Sequence, residues 1–340
     1  MVNKDRPKEQ AIGLDVGTST VKAVTGDQKI IFPSVYCKRL VKSVWDEKYK
    51  AEGLVIEEIA HKAIEVAKHE DSILIRPIME GQIRHSVAVK LVQEVYKRLD
   101  VKNPGDVILV TGLPYDVSVH DINNIEKLLT QTLGEARELV IYPQSFGTLI
   151  DVGLDSATII NIGHSTTGLL IVENLTVLGG GTEPKATDYI ISQVRSHIIK
   201  NYGLISDPET VRDLIVCKEV KVGDTIVCNY INAISDGYTT VTREDVDSVT
   251  MDAINFLCEK IAHDVMEMHS HLPTMNLGCV QNIVLSGGLS KLQNPYNKEY
   301  IIKDTLEKKL KRTLLYPEDA LFSEANGFYK LALELMQGQG

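Results

Sequence analysis

The sequence lacks the features that would place the chain in several common classes of protein. No run approaches the roughly 18 apolar residues that span a bilayer, and residues 1–10 are polar, without the apolar segment typical of a signal peptide. The cysteines form no Cys-x-x-Cys pair, which argues against a zinc site or a disulfide framework. They are Cys37, Cys217, Cys228, Cys258 and Cys279. We therefore expect a cytoplasmic protein with reduced thiols and no transmembrane segment.

Basic residues are outnumbered by acidic ones, and the formal net charge is −10. Binding to the backbone of a nucleic acid needs clustered Lys and Arg. We therefore expect no direct nucleic-acid binding, although the charge does not exclude a small nucleotide. A chain of 340 residues is long enough for a substantial core and about two domains.

The most informative stretch is residues 12–22 (IGLDVGTSTVK), which has an apolar strand, a glycine and hydroxyl turn, and the start of a second strand. Gly17 allows the backbone to approach an anion. Three hydroxyl residues follow it: Thr18, Ser19 and Thr20. Asp15 is placed to hold Mg²⁺ or its waters, and Lys22 to neutralise a phosphate. An ordinary hairpin can have the same residues, so this turn alone does not decide between the two interpretations.

A second copy of the pattern occurs about 145 residues later, in residues 158–172 (TIINIGHSTTGLLIV). Its turn contains Gly163, His164, Ser165 and Thr166. Two such hairpins indicate a duplicated fold, in which two domains each present a phosphate loop to one cleft. The repeat is much more specific than either loop alone.

The remaining chain alternates strands and helices. Residues 107–111 and 139–142 read as buried strands, whereas 87–99, 121–133 and 249–268 have helical periodicity. This alternation predicts an α/β layer structure. A further strand at 282–286 leads into Gly287 and Gly288, a turn able to lie flat against a base or a ribose.

With these segments in view, the chain resembles the actin and sugar-kinase superfamily over about 310 residues. The matching blocks follow the family order: a first phosphate block (15–22), a first connecting block (142–146), a second phosphate block (161–167), an adenosine block (284–289) and a second connecting block (325–328). The chain is most similar to prokaryotic actin-like filament proteins of the MamK, MreB and ParM type. Residues 76–83 (RPIMEGQI) are similar to MreB and MamK, and residues 142–145 and 325–329 to ParM.

This resemblance implies an actin-like fold made of duplicated ribonuclease H-like domains, with small inserted subdomains, around a nucleotide cleft. Domain I would comprise residues 1–155 and 321–340, with an insert at about 34–74. Domain II would comprise residues 156–320, with an insert at about 193–258. The implied cofactors are ATP or ADP and Mg²⁺.

The resemblance also implies roles for individual residues. Asp15 would organise Mg²⁺, mainly through water, and Gln144 would orient the attacking water. The phosphate-binding residues would be Gly17, Thr18, Ser19, Thr20, Lys22, Gly163, His164, Ser165 and Thr166, and the adenine and ribose side would contain Lys218, Glu219, Gly287 and Gly288. Lys218 and Glu219 can equally be surface charges, and His164 a solvated turn residue.

The chain departs from the family in the second phosphate block, where Asn161 replaces the usual Asp and His164 replaces a second Asp of actin. A missing carboxylate weakens the organisation of Mg²⁺ and its waters. Gln144 carries a neutral amide, which is a poor base. We therefore expect the catalytic residues Gln144, Asp15 and Asn161 to hydrolyse ATP slowly, with ATP binding intact.

The leading hypothesis is an ATPase that assembles head to tail with itself into cytoskeletal filaments, with a possible adaptor protein. Such filaments serve DNA segregation, organelle positioning or cell shape. One alternative is a non-polymerising ATP-binding scaffold similar to PilM or EutJ. A small-molecule kinase is the weakest alternative, since no substrate-binding acidic pattern is evident. A histidine group at 263, 269 and 271 is more typical of a solvated helix end than of a metal site.

Overall fold

Apolar strands and amphipathic helices form two units in the computed structural model of the chain. The first unit is Met1–Asp155 with Pro317–Gly340, and the second is Ser156–Tyr316. The structure describes residues 10–41, 54–68, 72–79, 82–134, 136–217, 219–222, 225–228, 231–233, 239–272, 278–293 and 299–338. Among these residues, no helix is both long enough and apolar enough to cross a membrane.

The first unit is built on a five-stranded sheet. Its strands are β1 (Gln10–Val16), β2 (Thr20–Thr25), β3 (Gln28–Pro33), β9 (Val107–Leu113) and β10 (Glu138–Pro143). They are arranged in the order β10-β9-β1-β2-β3, with β1 antiparallel to β2 and parallel to β9. The central β1 is apolar and almost entirely buried, as expected for a strand covered on both faces.

The smaller strands of the first unit form two further sheets. These strands are β4 (Tyr36–Val41), β5 (Leu54–Ile59), β6 (Ser72–Ile75), β7 (Ile78–Met79) and β8 (Gln82–Ile83). The first three form a sheet in the order β5-β4-β6, and β7 pairs with β8. The helices are α1 (Ala60–Val66), α2 (His85–Arg98), α3 (Val119–Leu133), α4 (Phe146–Asp151) and α10 (Ser323–Gly338).

Helix α10 packs very closely against β1 and α4, and glycines make this approach possible. A Cβ at Gly327 would lie 1.7 Å from the carbonyl oxygen of Gly147, and one at Gly13 would lie 2.1 Å from the carbonyl oxygen of Ala325. Contacts of this length are impossible for a real side chain, so only glycine fits at these crossings. As a result the start of α10 lies directly beside the end of β1.

The second unit contains another five-stranded sheet. Its strands are β11 (Ala157–Ile162), β12 (Thr167–Glu173), β13 (Thr176–Glu183), β18 (Ile283–Ser286) and β19 (Leu314–Leu315). Their order is β13-β12-β11-β18-β19, in which β11 is antiparallel to β12 and parallel to β18. In each unit, therefore, the first strand is central, with a hairpin on one side and two parallel strands on the other.

Helices pack an apolar core against this second sheet. They are α5 (Thr187–Tyr202), α6 (Pro208–Ile215), α7 (Asp247–Ser270), α8 (Gly278–Gln281) and α9 (Ile301–Leu310). Helix α7 contributes Ile254, Leu257 and Ile261, which are fully buried. Four short strands form two hairpins: β14 (Glu219–Val222) with β15 (Thr225–Cys228), and β16 (Ile231–Ala233) with β17 (Thr239–Val241).

The prediction of reduced cysteines is only partly right. Cys37, Cys258 and Cys279 are free and buried, but Cys217 is disulfide-bonded, so the prediction is wrong for this residue. A disulfide depends on which cysteines the fold brings together in space, and spacing along the sequence does not reveal this.

Candidate functional site

The turn between β1 and β2 is held by donors to three consecutive carbonyl oxygens. Gly17 N–H donates to Thr20 O at 3.1 Å, and Ser34 N–H donates to Ser19 O at 2.8 Å. The guanidinium of Arg76 donates through Nη1 to Thr18 O at 2.8 Å. Fixing the carbonyl groups restricts the peptide planes of the turn, a requirement for a backbone that binds an anion through its N–H groups.

A buried ion pair lies at the base of this turn. The β1–β2 register places Asp15 opposite Lys22, and Lys22 Nζ is 2.6 Å from Asp15 Oδ2. The side chain of Asp15 is 3% exposed and that of Lys22 is 14% exposed. Burial by itself lowers the pKa of Lys22, but the charge of Asp15 and its hydrogen bond outweigh that effect and raise the pKa above its usual value. Lys22 is therefore a permanent cation.

Gln144 links this ion pair to a second carboxyl group. It directly follows β10, and its backbone N–H donates to Leu113 O at 2.8 Å. Its side-chain Nε2 donates to Asp15 Oδ1 at 2.9 Å and to Glu324 Oε2 at 3.1 Å. On either side, the rings of Tyr142 and Phe146 stack with centroids 5.0 Å apart. The structure thus brings together residues of β1, β2, the end of β10 and the first turn of α10.

Glu324 is the functional residue that sequence reasoning missed. It is 6% exposed; burial and the neighbouring charge of Asp15 raise its pKa well above the usual value, against the opposing effect of Lys22. An acidic residue in the first turn of a helix is ordinarily explained by the helix dipole. The only other signal was its position directly before the connecting block at 325–328. Arg76 was likewise noted only as part of a family pattern.

The turn between β11 and β12 repeats the first one at the level of the backbone. Gly163 N–H donates to Thr166 O at 3.0 Å, as Gly17 does to Thr20. The hydroxyl of Thr187 donates to Gly163 O at 2.7 Å. The N–H of Asp188 donates to the carbonyl oxygen of His164 at 2.8 Å. The start of α5 therefore holds this turn in place, a role for Thr187 that sequence reasoning missed.

The second turn carries no ion pair at the position of the first. Asn161 faces Gly168 across the β11–β12 register, where Asp15 faces Lys22 in the first unit. His164, Ser165 and Thr166 occupy the turn and are half-buried. Both charges of the first hairpin are thus replaced by neutral residues in the second.

The two glycines after β18 have different surroundings. Gly287 has a left-handed φ of +97°, and a Cβ there would lie 2.1 Å from Ile162 O and 2.7 Å from Asn161 Oδ1. Gly288 is exposed, with open space at its Cβ position. The structure therefore brings Gly287 against the end of β11 and leaves Gly288 accessible. Lys218 lies outside the described residues, and Glu219 is described only as the first backbone position of β14.

For the histidines at 263, 269 and 271 the sequence favours a solvated helix end over a metal site, and among the described residues the only group of possible metal ligands that contains one of them is His263 with Asp264 and Glu267. His269 Nε2 lies 2.7 Å from the hydroxyl of buried Thr158, and burial lowers the pKa of His269. His263 instead lies near Asp264 and Glu267 on an exposed face of α7. Asp264 already accepts a hydrogen bond from Lys260 at 2.8 Å. These histidines are explained by packing and by surface charge pairs.

Several solved structures resemble the chain over nearly its full length. MreB5 of Spiroplasma citri bound to ADP matches with a TM-score of 0.74 and 18% identity, over 97% of this chain and 98% of that chain. A MamK double helical filament matches with a TM-score of 0.74 and 18% identity, over 95% of this chain and 98% of that chain. An archaeal actin homolog matches with a TM-score of 0.62 and 17% identity, over 96% of this chain and 99% of that chain.

No protein-family model matches the sequence, and no curated protein matches it by sequence. At 17–18% identity, the structural likeness establishes the fold alone. It confirms the predicted fold class, because the aligned regions include almost all of both chains. The chain therefore has the mixed α/β fold of the prokaryotic actin-like proteins.

Proposed function

We propose that the chain is an ATP-binding, slowly hydrolysing actin-like protein that polymerises into cytoskeletal filaments. The observation that carries this proposal is the buried cluster of Asp15, Lys22 and Gln144 beside a turn whose carbonyl groups are held by donors. The fold agrees with it, since the similar MreB5 was crystallised with ADP and with AMPPNP.

In this proposal the hairpin residues bind the phosphates. The N–H groups and hydroxyls of Thr18, Ser19 and Thr20 would donate to phosphate oxygens, and Lys22 would supply a positive charge. Gly163 and the hydroxyls of Ser165 and Thr166 would contribute a second set of donors to the nucleotide.

Asp15 fits a water-mediated role toward Mg²⁺. Its two oxygens already accept from Lys22 and Gln144, but each carboxylate oxygen can accept more than one hydrogen bond. Both oxygens can thus hold a water of a hydrated cation without releasing their present partners. A bound Mg²⁺ would neutralise charge that develops on the phosphates.

Hydrolysis in this site would depend on positioning. Water would attack the γ-phosphorus while the bond from phosphorus to the bridging oxygen breaks. The amide of Gln144 is neutral, so it can orient this water but cannot act as a strong base. Asn161 supplies an amide where the related proteins have a carboxylate. Slow turnover with intact nucleotide binding follows from this pair of neutral residues.

Polymerisation would occur by head-to-tail contacts with further copies of the chain, a heterologous interface that generates open filaments. The similarity to the MamK double helical filament supports this part of the proposal. Candidate roles for such a filament are DNA segregation, organelle positioning and cell shape, with an adaptor protein as a possible partner.

Light scattering and pelleting with and without ATP and Mg²⁺ test the proposal, followed by electron microscopy of the pellet. We expect ATP-dependent scattering and visible filaments. Lys22→Met is the matched variant, because it removes the cation beside the turn and should weaken ATP binding and assembly together. A wild-type protein that binds ATP but stays monomeric at high concentration would favour the scaffold alternative. A wild-type protein that binds no nucleotide would overturn the proposal.

A further inference from the structure

The side-chain amide of Gln144 is held between two carboxyl groups. Its Nε2 is 2.9 Å from Asp15 Oδ1 and 3.1 Å from Glu324 Oε2. An amide nitrogen carries two hydrogens and cannot accept. The two bonds use both hydrogens, so only the carbonyl oxygen of the amide remains for a further bond, and it acts solely as an acceptor.

The backbone on either side of Glu324 is packed tightly against α4. Its backbone lies against α4, where a Cβ at Gly147 would be 2.4 Å from Glu324 O. The preceding residue adds a contact in the same place, since Ser323 Oγ lies 3.0 Å from Thr148 Oγ1 and both residues are buried. The backbone that carries Glu324 is therefore fixed at the start of α10, and its carboxyl group is buried beside Gln144.

We infer that Glu324 is a positioning residue for hydrolysis: it fixes the amide of Gln144 so that the carbonyl oxygen accepts a hydrogen bond from the attacking water. This inference rests on the proposed ATP hydrolysis. Asp15 alone supplies one anchor, about which the amide can rotate. The second hydrogen bond, to Glu324, prevents that rotation. An amide that is already oriented before water attacks speeds the hydrolysis step. Glu324 itself acts through Gln144 and does not contact the nucleotide.

The kinetic test uses Glu324→Leu, which keeps a similar volume without an acceptor, and Glu324→Gln, which keeps an acceptor oxygen. Each is made in the wild type and in a Gln144→Ala background. Single-turnover hydrolysis by Glu324→Leu should fall about tenfold, the size of one lost hydrogen bond, while the Kd for ATP stays within about twofold. Glu324→Gln should retain most of the rate. In Gln144→Ala, Glu324→Leu should cause no further loss.

An equal loss from Glu324→Leu in the Gln144→Ala background would overturn the inference, because the effect would then not pass through Gln144. A change confined to the Kd for ATP would also overturn it.

A second measurement does not depend on hydrolysis. The side-chain amide protons of Gln144 can be followed by nuclear magnetic resonance in protein labelled with ¹⁵N-glutamine, and assigned by their loss in Gln144→Ala. One of the two proton signals should shift in Glu324→Leu and stay close to its wild-type position in Glu324→Gln. Unchanged signals in Glu324→Leu would overturn the inference, whether or not the wild type hydrolyses ATP. Absence of ATP binding by a wild type with the expected signals would instead contradict the proposed function.

Discussion

The two hairpins have the same backbone turn and opposite electrostatics. In each, a glycine N–H donates to a carbonyl oxygen three residues later, at 3.1 Å for Gly17 and 3.0 Å for Gly163. The first hairpin has the buried ion pair Asp15–Lys22, whereas the second has Asn161 opposite Gly168. Removing one member of a buried ion pair leaves an unpaired charge, which is strongly unfavourable. The comparison shows that turn geometry and charge vary independently, and that the charges are present or absent as a pair.

The two turns are also anchored differently. Arg76 and Ser34 hold carbonyl oxygens of the first turn, and Thr187 and Asp188 at the start of a helix hold the second. The first turn is therefore held by the side chain of Arg76, from a distant segment, and by the backbone N–H of Ser34 just after β3, and the second by the start of one helix. This difference leads to four tests.

The largest effect is expected from Lys22→Met. Without Lys22, the carboxylate of Asp15 stays buried beside Glu324, so the free energy of unfolding should fall by about 3 kcal/mol. Urea unfolding without nucleotide measures this. The control is the double variant Asp15→Asn with Lys22→Met, which copies the neutral pair of the second hairpin and should recover most of the loss. A double variant as unstable as the single one would contradict the role of the pair.

The next effect comes from placing alanine in each turn. A Cβ would lie 3.0 Å from Thr20 O at Gly17 and 2.8 Å from Thr166 O at Gly163. Overpacking of this kind costs about 2 kcal/mol, and Gly163→Ala should be slightly worse because its contact is shorter. Thermal unfolding compares them, with Gly288→Ala as a control where the Cβ would meet open space. Two variants with wild-type stability would show that the turns are looser than described.

A smaller effect is expected when the second hairpin regains its carboxylate. Asn161→Asp should speed phosphate release by up to about tenfold, equivalent to ~1.4 kcal/mol in the barrier, because a carboxylate organises Mg²⁺ and its waters better than an amide. A matched control is Asn282→Asp, outside the turn. An unchanged rate in Asn161→Asp would show that Asn161 does not limit hydrolysis.

The smallest effect is a contrast in pH dependence between one carboxyl group of each unit. Burial and Asp15 raise the pKa of Glu324. Its contribution to stability is therefore fully present below the unfolded value of about 4.3 and lost as pH rises through the folded value. Hydrogen bonds from the backbone N–H groups of Cys279 and Gly278 lower the pKa of Glu173. Its contribution is present above the unfolded value and lost as pH falls through the folded value.

Urea midpoints of Glu324→Gln and Glu173→Gln, each relative to wild type, measure this contrast. Glu324→Gln should gain relative stability as the pH rises above the unfolded value of about 4.3. Glu173→Gln should be less stable than wild type near neutral pH, and the difference should shrink as the pH falls below about 4. Slopes of the same sign in both variants would contradict the assigned shifts.

The elements of the fold were largely predictable from local patterns. The expected helices at 87–99 and 121–133 are observed as His85–Arg98 and Val119–Leu133, and the strands at 107–111 and 139–142 as Val107–Leu113 and Glu138–Pro143. Both hairpins were expected from an apolar strand, a glycine turn and a second apolar strand. Such elements can be predicted from the sequence because each depends on the pattern of apolar and polar residues within a short segment.

The residues that complete the candidate site were not readable in this way. Glu324 meets Gln144 across 180 positions of sequence, and Arg76 meets Thr18 across 58. Neither has a local pattern that distinguishes it from a surface charge. Their partners follow only from the packing of α10 against β1 and α4.

The sequence by itself determined two glycine turns, a carboxylate in one and an amide in the other, and the order of strands and helices around them. These features are local, because backbone conformation and charge at a position depend on the residue there. Only the tertiary structure decided that Gln144 spans two carboxyl groups and that Gly287 packs against Asn161. Hydrogen bonds and ion pairs act over a few ångströms, so they depend on which distant segments the packed core brings into contact.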